Sequence, residues 1–247
     1  MHGPLSARLS AMQERRDPAT IRAMFDGVAR RYDLLNHLLS ANQDRRWRRR
    51  VVRRLAEAPG AEVLDLCTGT GDLAIELLRA DPARRVVGCD FSSEMLRRAR
   101  TKLDRASGLS SRCALVEADA LALPFAEAAF DAVTVAFGVR NLADMGAGFA
   151  EMRRVLRPGG RMFVLEFSRP EAGMWCRLYR WYLARVLPRL GDGIAGRRGP
   201  YGYLARTIAA FPDPPALAGA IRDSGFAACG WETLGGGIVA LHTAYRG

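Results

Sequence analysis

Four carboxylates and one glycine turn are the residues whose types and spacing could do chemistry in this 247-residue chain. Asp65 precedes Gly69-Thr70-Gly71, Asp72 follows it directly, and Asp90 and Asp119 come later. A Gly-x-Gly turn after a short apolar run, opening straight into a helical pattern, brings backbone N–H groups close to a nucleotide-like ligand. Taken alone, Gly69-Thr70-Gly71-Asp72-Leu73-Ala74 fits the dinucleotide fingerprint, and Asp90 lies at the ~20-residue distance of its ribose contact. Against a pyrophosphate stands Asp72, a carboxylate at the helix start, where an anion wants only positive charge. Each aspartate singly could be a helix cap or a turn residue. Asp65, Asp90 and Asp119 at the ends of three successive strands would instead converge on one crevice. In a chain of net charge +11, such a negative cluster suits a ligand with positive groups. S-adenosylmethionine, with its ammonium and sulfonium, meets that description.

The elements that must position these residues follow from periodicity. Strands are expected at Glu62–Leu66, Arg85–Cys89, Cys113–Glu117, Phe130–Ala136 and Arg161–Glu166. Helices are expected at Asp72–Arg79, from a Ser92 or Ser93 cap to about Leu103, and at Met145–Leu156 with Pro158-Gly159-Gly160 closing it. A last helix at Pro215–Ser224 precedes strands Ala227–Thr233 and Ile238–Ala244, joined at Gly235-Gly236-Gly237 as a hairpin. The expected fold is α/β: a Rossmann-like, doubly wound, seven-stranded and mostly parallel sheet with a C-terminal antiparallel hairpin. Residues 1–58 read as an N-terminal helical cap, 59–168 as the ligand-binding core, 169–214 as a helical lid insertion and 215–247 as the C-terminal helix and hairpin completing the core. In the cap, Trp47, Val51, Val52 and Leu55 face inward, and its arginines read as a solvated face or as a patch for an anionic surface. In the lid, Trp175, Leu178, Tyr179, Tyr182, Leu183, Val186 and Leu190 share one helical face, suited to covering the sheet edge or a lipid-like tail.

Composition narrows the classes. Hydrophobic residues are 49% and charged residues 26% of the chain, ordinary for a soluble globular protein. No apolar run approaches the ~20 residues of a membrane span, and the N-terminus lacks the apolar core of a signal peptide, so the cytoplasm is expected. The five cysteines are scattered without Cys-x-x-Cys spacing and there are three histidines, which argues against a disulfide framework or a metal site. Of the 37 basic residues only Lys102 is a lysine. Such a balance points to acidic substrates, an anionic membrane or nucleic acid, or to no specific ligand at all.

Beyond the glycine turn, a resemblance becomes specific. Asp65-x-x-x-Gly69-x-Gly71 resembles the first motif of class I S-adenosylmethionine-dependent methyltransferases. Arg31-Tyr32-Asp33-x-x-Asn36, Arg45-Arg46-Trp47, Phe137-Gly138-Val139-Arg140-Asn141 and Arg157-Pro158-Gly159-Gly160-Arg161-x-x-x-Leu165-Glu166-Phe167-Ser168 resemble the ubiquinone/menaquinone biosynthesis C-methyltransferase family. So do Pro188, Tyr201-x-Tyr203-Leu204 and Gly237-Ile238-Val239-Ala240-Leu241-His242. The resemblance implies C-methylation of a prenylated hydroquinone or phenol, demethylmenaquinol to menaquinol being one instance. It implies cofactor contacts at Tyr32, Asp65, Gly69, Thr70, Gly71, Asp90, Phe91, Asp119, Ala120 and Ala136. The substrate side falls to Arg140, with Asn141, Asp33 and Tyr201 beside it; Asn141 reads more as a loop-shaping residue than as a catalyst. A guanidinium near the phenolic oxygen would stabilise the ring anion.

The expected partners are a lipophilic quinol or phenol, an anionic membrane at its inner face and a second copy of the chain, with no nucleic acid. Ala136 where the family has Ser, Gly196–Pro200, and Arg206-Thr207 where Glu-Ser is usual leave the exact acceptor open. Another phenolic or polyketide acceptor is the enzyme alternative. An RNA-binding methyltransferase is the different-class one, weakened because strand 4 leads into Ala136-Phe137-Gly138 rather than the Asn/Asp-Pro-Pro-aromatic of base-modifying enzymes.

Overall fold

Short β-branched runs flanked by amphipathic helical stretches produce alternating strands and helices in the computed structural model, which describes residues 22, 26–27, 40, 42–57, 60–168 and 207–247. In chain order these are α1 (Gln43–Leu55), β1 (Glu62–Leu66), α2 (Asp72–Ala80), β2 (Arg85–Asp90), α3 (Ser93–Arg105), β3 (Cys113–Glu117) and β4 (Phe130–Ala136). Then come α4 (Met145–Val155), β5 (Leu156–Phe167), α5 (Pro214–Asp223), β6 (Ala228–Leu234) and β7 (Val239–Tyr245). The strands form one seven-stranded sheet in the order β3-β2-β1-β4-β5-β7-β6. β1 to β5 pair in parallel, whereas β7 runs antiparallel to β5 and β6.

Helix starts follow their caps. The Ser92 hydroxyl accepts from the Met95 amide at 3.1 Å, Asp144 from Ala147 at 3.0 Å and Asp213 from Ala216 at 2.9 Å. The sheet is buried on both faces because side chains alternate along each strand. Leu64, Leu66, Val133, Val135, Met162 and Val164 point into one layer with Phe149 and Met152 of α4 and Leu217 and Ile221 of α5. Val63, Ala132, Phe163 and Leu165 point into the other, with Trp47 and Val51 of α1, Leu77 of α2 and Leu103 of α3. The four expected inward residues of α1 are therefore in the core. The arginines of α1 are only partly a solvated face. Arg48 is buried, and Arg50 and Arg54 grip Glu232 of β6 at 2.7 and 2.9 Å.

One sequence expectation is corrected. Pro158-Gly159-Gly160 does not close a helix, since α4 stops at Val155 and these residues belong to β5. The register of β5 on β4 jumps from Phe130↔Leu156 to Ala132↔Arg161, so the extra residues bulge out of the ladder. They keep their bonds through the chain end: the Gly159 amide donates to Arg246 O and the Arg246 amide to Gly160 O. Gly160 has no room for a Cβ, which would sit 2.8 Å from Arg157 O. The expected lid helix and the cap residues before Ser40, apart from Arg22, Asp26 and Gly27, lie outside the described residues.

Candidate functional site

The sheet order turns outward in both directions from β1 and β4, and the carboxyl ends of these strands open the crevice in which such folds bind ligands. At the end of β1 the backbone is forced into an unusual path. Cys67 has φ 54°, Gly69 φ 56° and Gly71 φ 81°, and Phe137, just past β4, has φ 60°. A left-handed Cys or Phe costs free energy that the surrounding structure must hold in place, and such residues concentrate at functional sites. The two strained turns touch, because a Cβ on Gly138 would lie 2.4 Å from the Cys67 Cβ. Gly138 is what lets the two strand ends approach.

The aspartates have separate tasks. Asp65 is 1% exposed, beneath the turn, and its two oxygens accept from the hydroxyls of Thr68 (2.6 Å) and Thr134 (2.7 Å). Burial pushes its carboxyl up to about 6, against the pull of those two hydroxyls. Asp90 accepts from the Gly69 amide at 2.8 Å and the Ser92 amide at 3.0 Å, so it clamps the glycine turn to the start of α3. Burial raises its carboxyl to about 6 as well. Asp119 is exposed and accepts from the Leu121 amide at 2.9 Å, while Ala120 is buried in the core. Asp90, Asp119, Ala120, Phe91, Gly69, Gly71 and Ala136 thus gather at adjoining strand ends. Asp72 departs from the expectation that it adds negative charge to the crevice. Its carboxylate is spent on Lys102 at 2.6 Å and Arg48 at 3.1 Å. The Thr70 hydroxyl accepts from the same Lys102 at 2.8 Å.

Across the crevice, β4 runs into the short 3₁₀ turn Val139–Asn141. Arg140 is 5% exposed and bridges to Glu166, which is 1% exposed, at 2.8 Å. Its guanidinium also donates to Phe137 O at 2.5 Å and lies 5.2 Å from the centre of the Phe167 ring. Glu166 accepts in addition from the amides of Phe167 (2.8 Å) and Arg140 (3.3 Å). Among the described residues, the Arg140 Nε and the Ser168 hydroxyl are buried without a hydrogen-bond partner. Asn141 is half-buried, and its amide donates to Gly138 O at 2.9 Å. Trp47, Phe137 and Phe167 form an aromatic row, with ring centres 6.3 and 4.8 Å apart. Arg140, expected on the substrate side, is held by a buried carboxylate. Tyr32, Asp33 and Tyr201 lie outside the described residues.

Sequence reasoning passed over several residues that build this site. Glu166 carried a visible signal, a carboxylate inside the apolar run Met162-Phe163-Val164-Leu165-Glu166-Phe167, where unpaired charge is costly. Thr68, Thr134 and Lys102 carried none, since only tertiary contact gives their hydroxyls and ammonium a partner. Asp26 belongs with them: the Ser92 hydroxyl donates to it at 2.5 Å, and Arg22 spans to Glu117 at 3.2 Å.

The sheet order with a glycine turn after β1 and an acid at the end of β2 is that of a Rossmann-like methyltransferase. Two solved structures share the fold. A SAM dependent methyltransferase from Aquifex aeolicus matches at TM-score 0.58 and 16% identity, over 96% of each chain. A SAM-dependent methyltransferase of Thermotoga maritima described as a possible histamine N-methyltransferase matches at TM-score 0.62 and 16% identity, over 91% of this chain and 100% of that one. The chain belongs to the ubiE/COQ5 methyltransferase family, whose model matches residues 11–246. The demethylmenaquinone methyltransferase of Thermus thermophilus is 50% identical over 223 residues, 90% of this chain and 100% of that protein. That of Mycolicibacterium paratuberculosis is 45% identical over 231 residues, 94% and 96% of the two chains. Among the described residues no helix is long and apolar enough to cross a membrane.

Proposed function

We propose that the chain is an S-adenosylmethionine-dependent C-methyltransferase that methylates the ring of a prenylated hydroquinone, demethylmenaquinol to menaquinol, in menaquinone biosynthesis. The observation that carries this reading is 43–50% identity to demethylmenaquinone methyltransferases over most of the chain. The crevice fits the cofactor: a backbone turn in left-handed conformation can approach a ligand closely, and a buried acid stands at the end of β2. The Gly69–Gly71 turn would hold the methionine part, Asp90 the ribose hydroxyls, and Asp119 with Ala120 and Phe91 the adenine. When bound, the cofactor supplies an electrophilic methyl group on a sulfonium.

The chain's own contribution is positioning. The Trp47–Phe137–Phe167 row offers an apolar wall for an aromatic ring, and a fixed approach geometry accounts for much of the catalysis such a transfer needs. Arg140 is held by Glu166, and its buried Nε, without an acceptor among the described residues, is a donor for a ring oxygen in the anionic state. A guanidinium offers hydrogen-bond donors and no acceptor, so its part here is to stabilise charge. The cap and lid would bring this soluble body to the membrane holding its substrate. The test is direct: purified protein, S-adenosylmethionine and demethylmenaquinol, with mass spectrometry of the quinol. A mass gain of one methyl on a ring carbon is expected; methylation of soluble phenols alone, or of an oxygen, would overturn the assignment.

A further inference from the structure

A second concave site lies on the far side of the glycine turn, between α1, α2 and α3. This cavity of about 410 Å³ is lined by Arg45, Arg48, Arg49, Arg79, Lys102 and Arg105. Its volume falls within the ~300–1,000 Å³ of small-ligand sites. Two carboxylates share it, Asp72 and Glu76. Asp72 is engaged by Lys102 and Arg48, and Arg48 also by Asp44 at 2.8 Å. Among the described residues Glu76 pairs with Arg49, at 3.8 Å. Arg45, Arg79 and Arg105 are exposed at the rim and form no ion pair among the described residues. Six cations thus face two carboxylates in one hollow, each raising the potential felt by the others.

The wall chemistry selects the ligand. Guanidinium forks match phosphate oxygens in pairs, and an ammonium adds a point charge. Among the described residues the apolar lining is Ile75 and Ala106, too little to hold an aromatic or aliphatic body. The field and the donors suit a compact phosphate anion. We propose that this cavity is a phosphate-binding site separate from the crevice, filled by the phosphodiester of an anionic lipid headgroup or by a free phosphate anion. It adjoins the cofactor turn, because Lys102 serves the cavity and the Thr70 hydroxyl together. The inference stands on the cavity alone, and a failed ring-methylation assay leaves it untouched.

The test uses the full chain, with inorganic pyrophosphate in calorimetry and, in sedimentation, phosphatidylcholine vesicles with and without phosphatidylglycerol. Arg79→Glu/Arg105→Glu reverses two exposed rim charges without reaching the core, and Arg97→Glu/Arg222→Glu, outside the cavity, matches it in net charge. Removing two charge-assisted phosphate contacts should weaken binding about tenfold or more in the rim variant. The control should shift less than about twofold, as expected of screened surface charge. Vesicle binding that pyrophosphate competes away assigns the site to a headgroup, and pyrophosphate binding without vesicle binding assigns it to a soluble phosphate. Equal loss in both variants, or no binding of either probe by the native chain, would overturn the proposal.

Discussion

Replacing Arg140 with Met separates the two parts this residue could play. The change leaves Glu166 as a buried carboxylate, 1% exposed, whose charge has lost its one cationic partner among the described residues. Breaking one side of a buried pair costs ~3–5 kcal/mol, because the remaining charge stays desolvated. Two amides, those of Phe167 and Arg140, would still donate to Glu166 and hold the loss toward the lower end. Arg140→Met/Glu166→Gln removes the charge while the Gln oxygen keeps the Phe167 amide satisfied and gives up the longer contact to the residue-140 amide, so ~2 kcal/mol of the loss should return. Urea unfolding of the native chain and the three variants, Glu166→Gln included, measures these terms. Turnover with labelled methyl donor measures the other part. The double variant should be stable yet slowed at least ~100-fold, since a preorganised donor to a developing anion is typically worth that much. Recovery of turnover together with stability would show that Arg140 only braces the fold. A cost below ~1 kcal/mol for Arg140→Met would refute the burial argument itself.

Asp65 should make stability fall with rising pH. Its native pKa of about 6 lies above the ordinary carboxyl value, so the folded state holds the proton more tightly. The stabilisation is complete below ~pH 4 and lost as pH rises through ~6, a difference of ~3 kcal/mol for two units. Thermal unfolding of Asp65→Asn against the native chain should show a flatter slope across that window, and an unchanged slope would contradict the assignment. Gly138→Ala should cost ~3 kcal/mol or more, the price of overpacking at a point where the new Cβ meets Cys67 at 2.4 Å. Adding Cys67→Gly, which removes that Cβ and relaxes φ 54°, should recover most of the loss in the same denaturation assay.

Much of the fold was legible because it rests on local rules. β1, β3 and β4 begin and end where periodicity placed them, and Ser92 caps α3, since apolar run length and cap chemistry are written in adjacent residues. β5 was misplaced at its start because Pro-Gly-Gly is the usual mark of an ended helix. Only the pairing with Arg246 reveals it as a bulge.

The site divides in the same way. The glycine turn and the acid after β2 were readable as a candidate cofactor grip from their spacing. What charge each aspartate presents was not, because that depends on neighbours far along the chain. Asp72 faces Lys102, thirty residues on, and turns away from the crevice; Asp65 is consumed by Thr134, sixty-nine residues on. Arg140 could be named from its motif, but its lock on Glu166 exists only once β4 and β5 lie side by side. The sequence by itself determined the order of elements and the kinds of group available. The tertiary structure decided which charges are neutralised, which are buried, and which remain to meet a ligand, because a charge's effect is set by its surroundings in space.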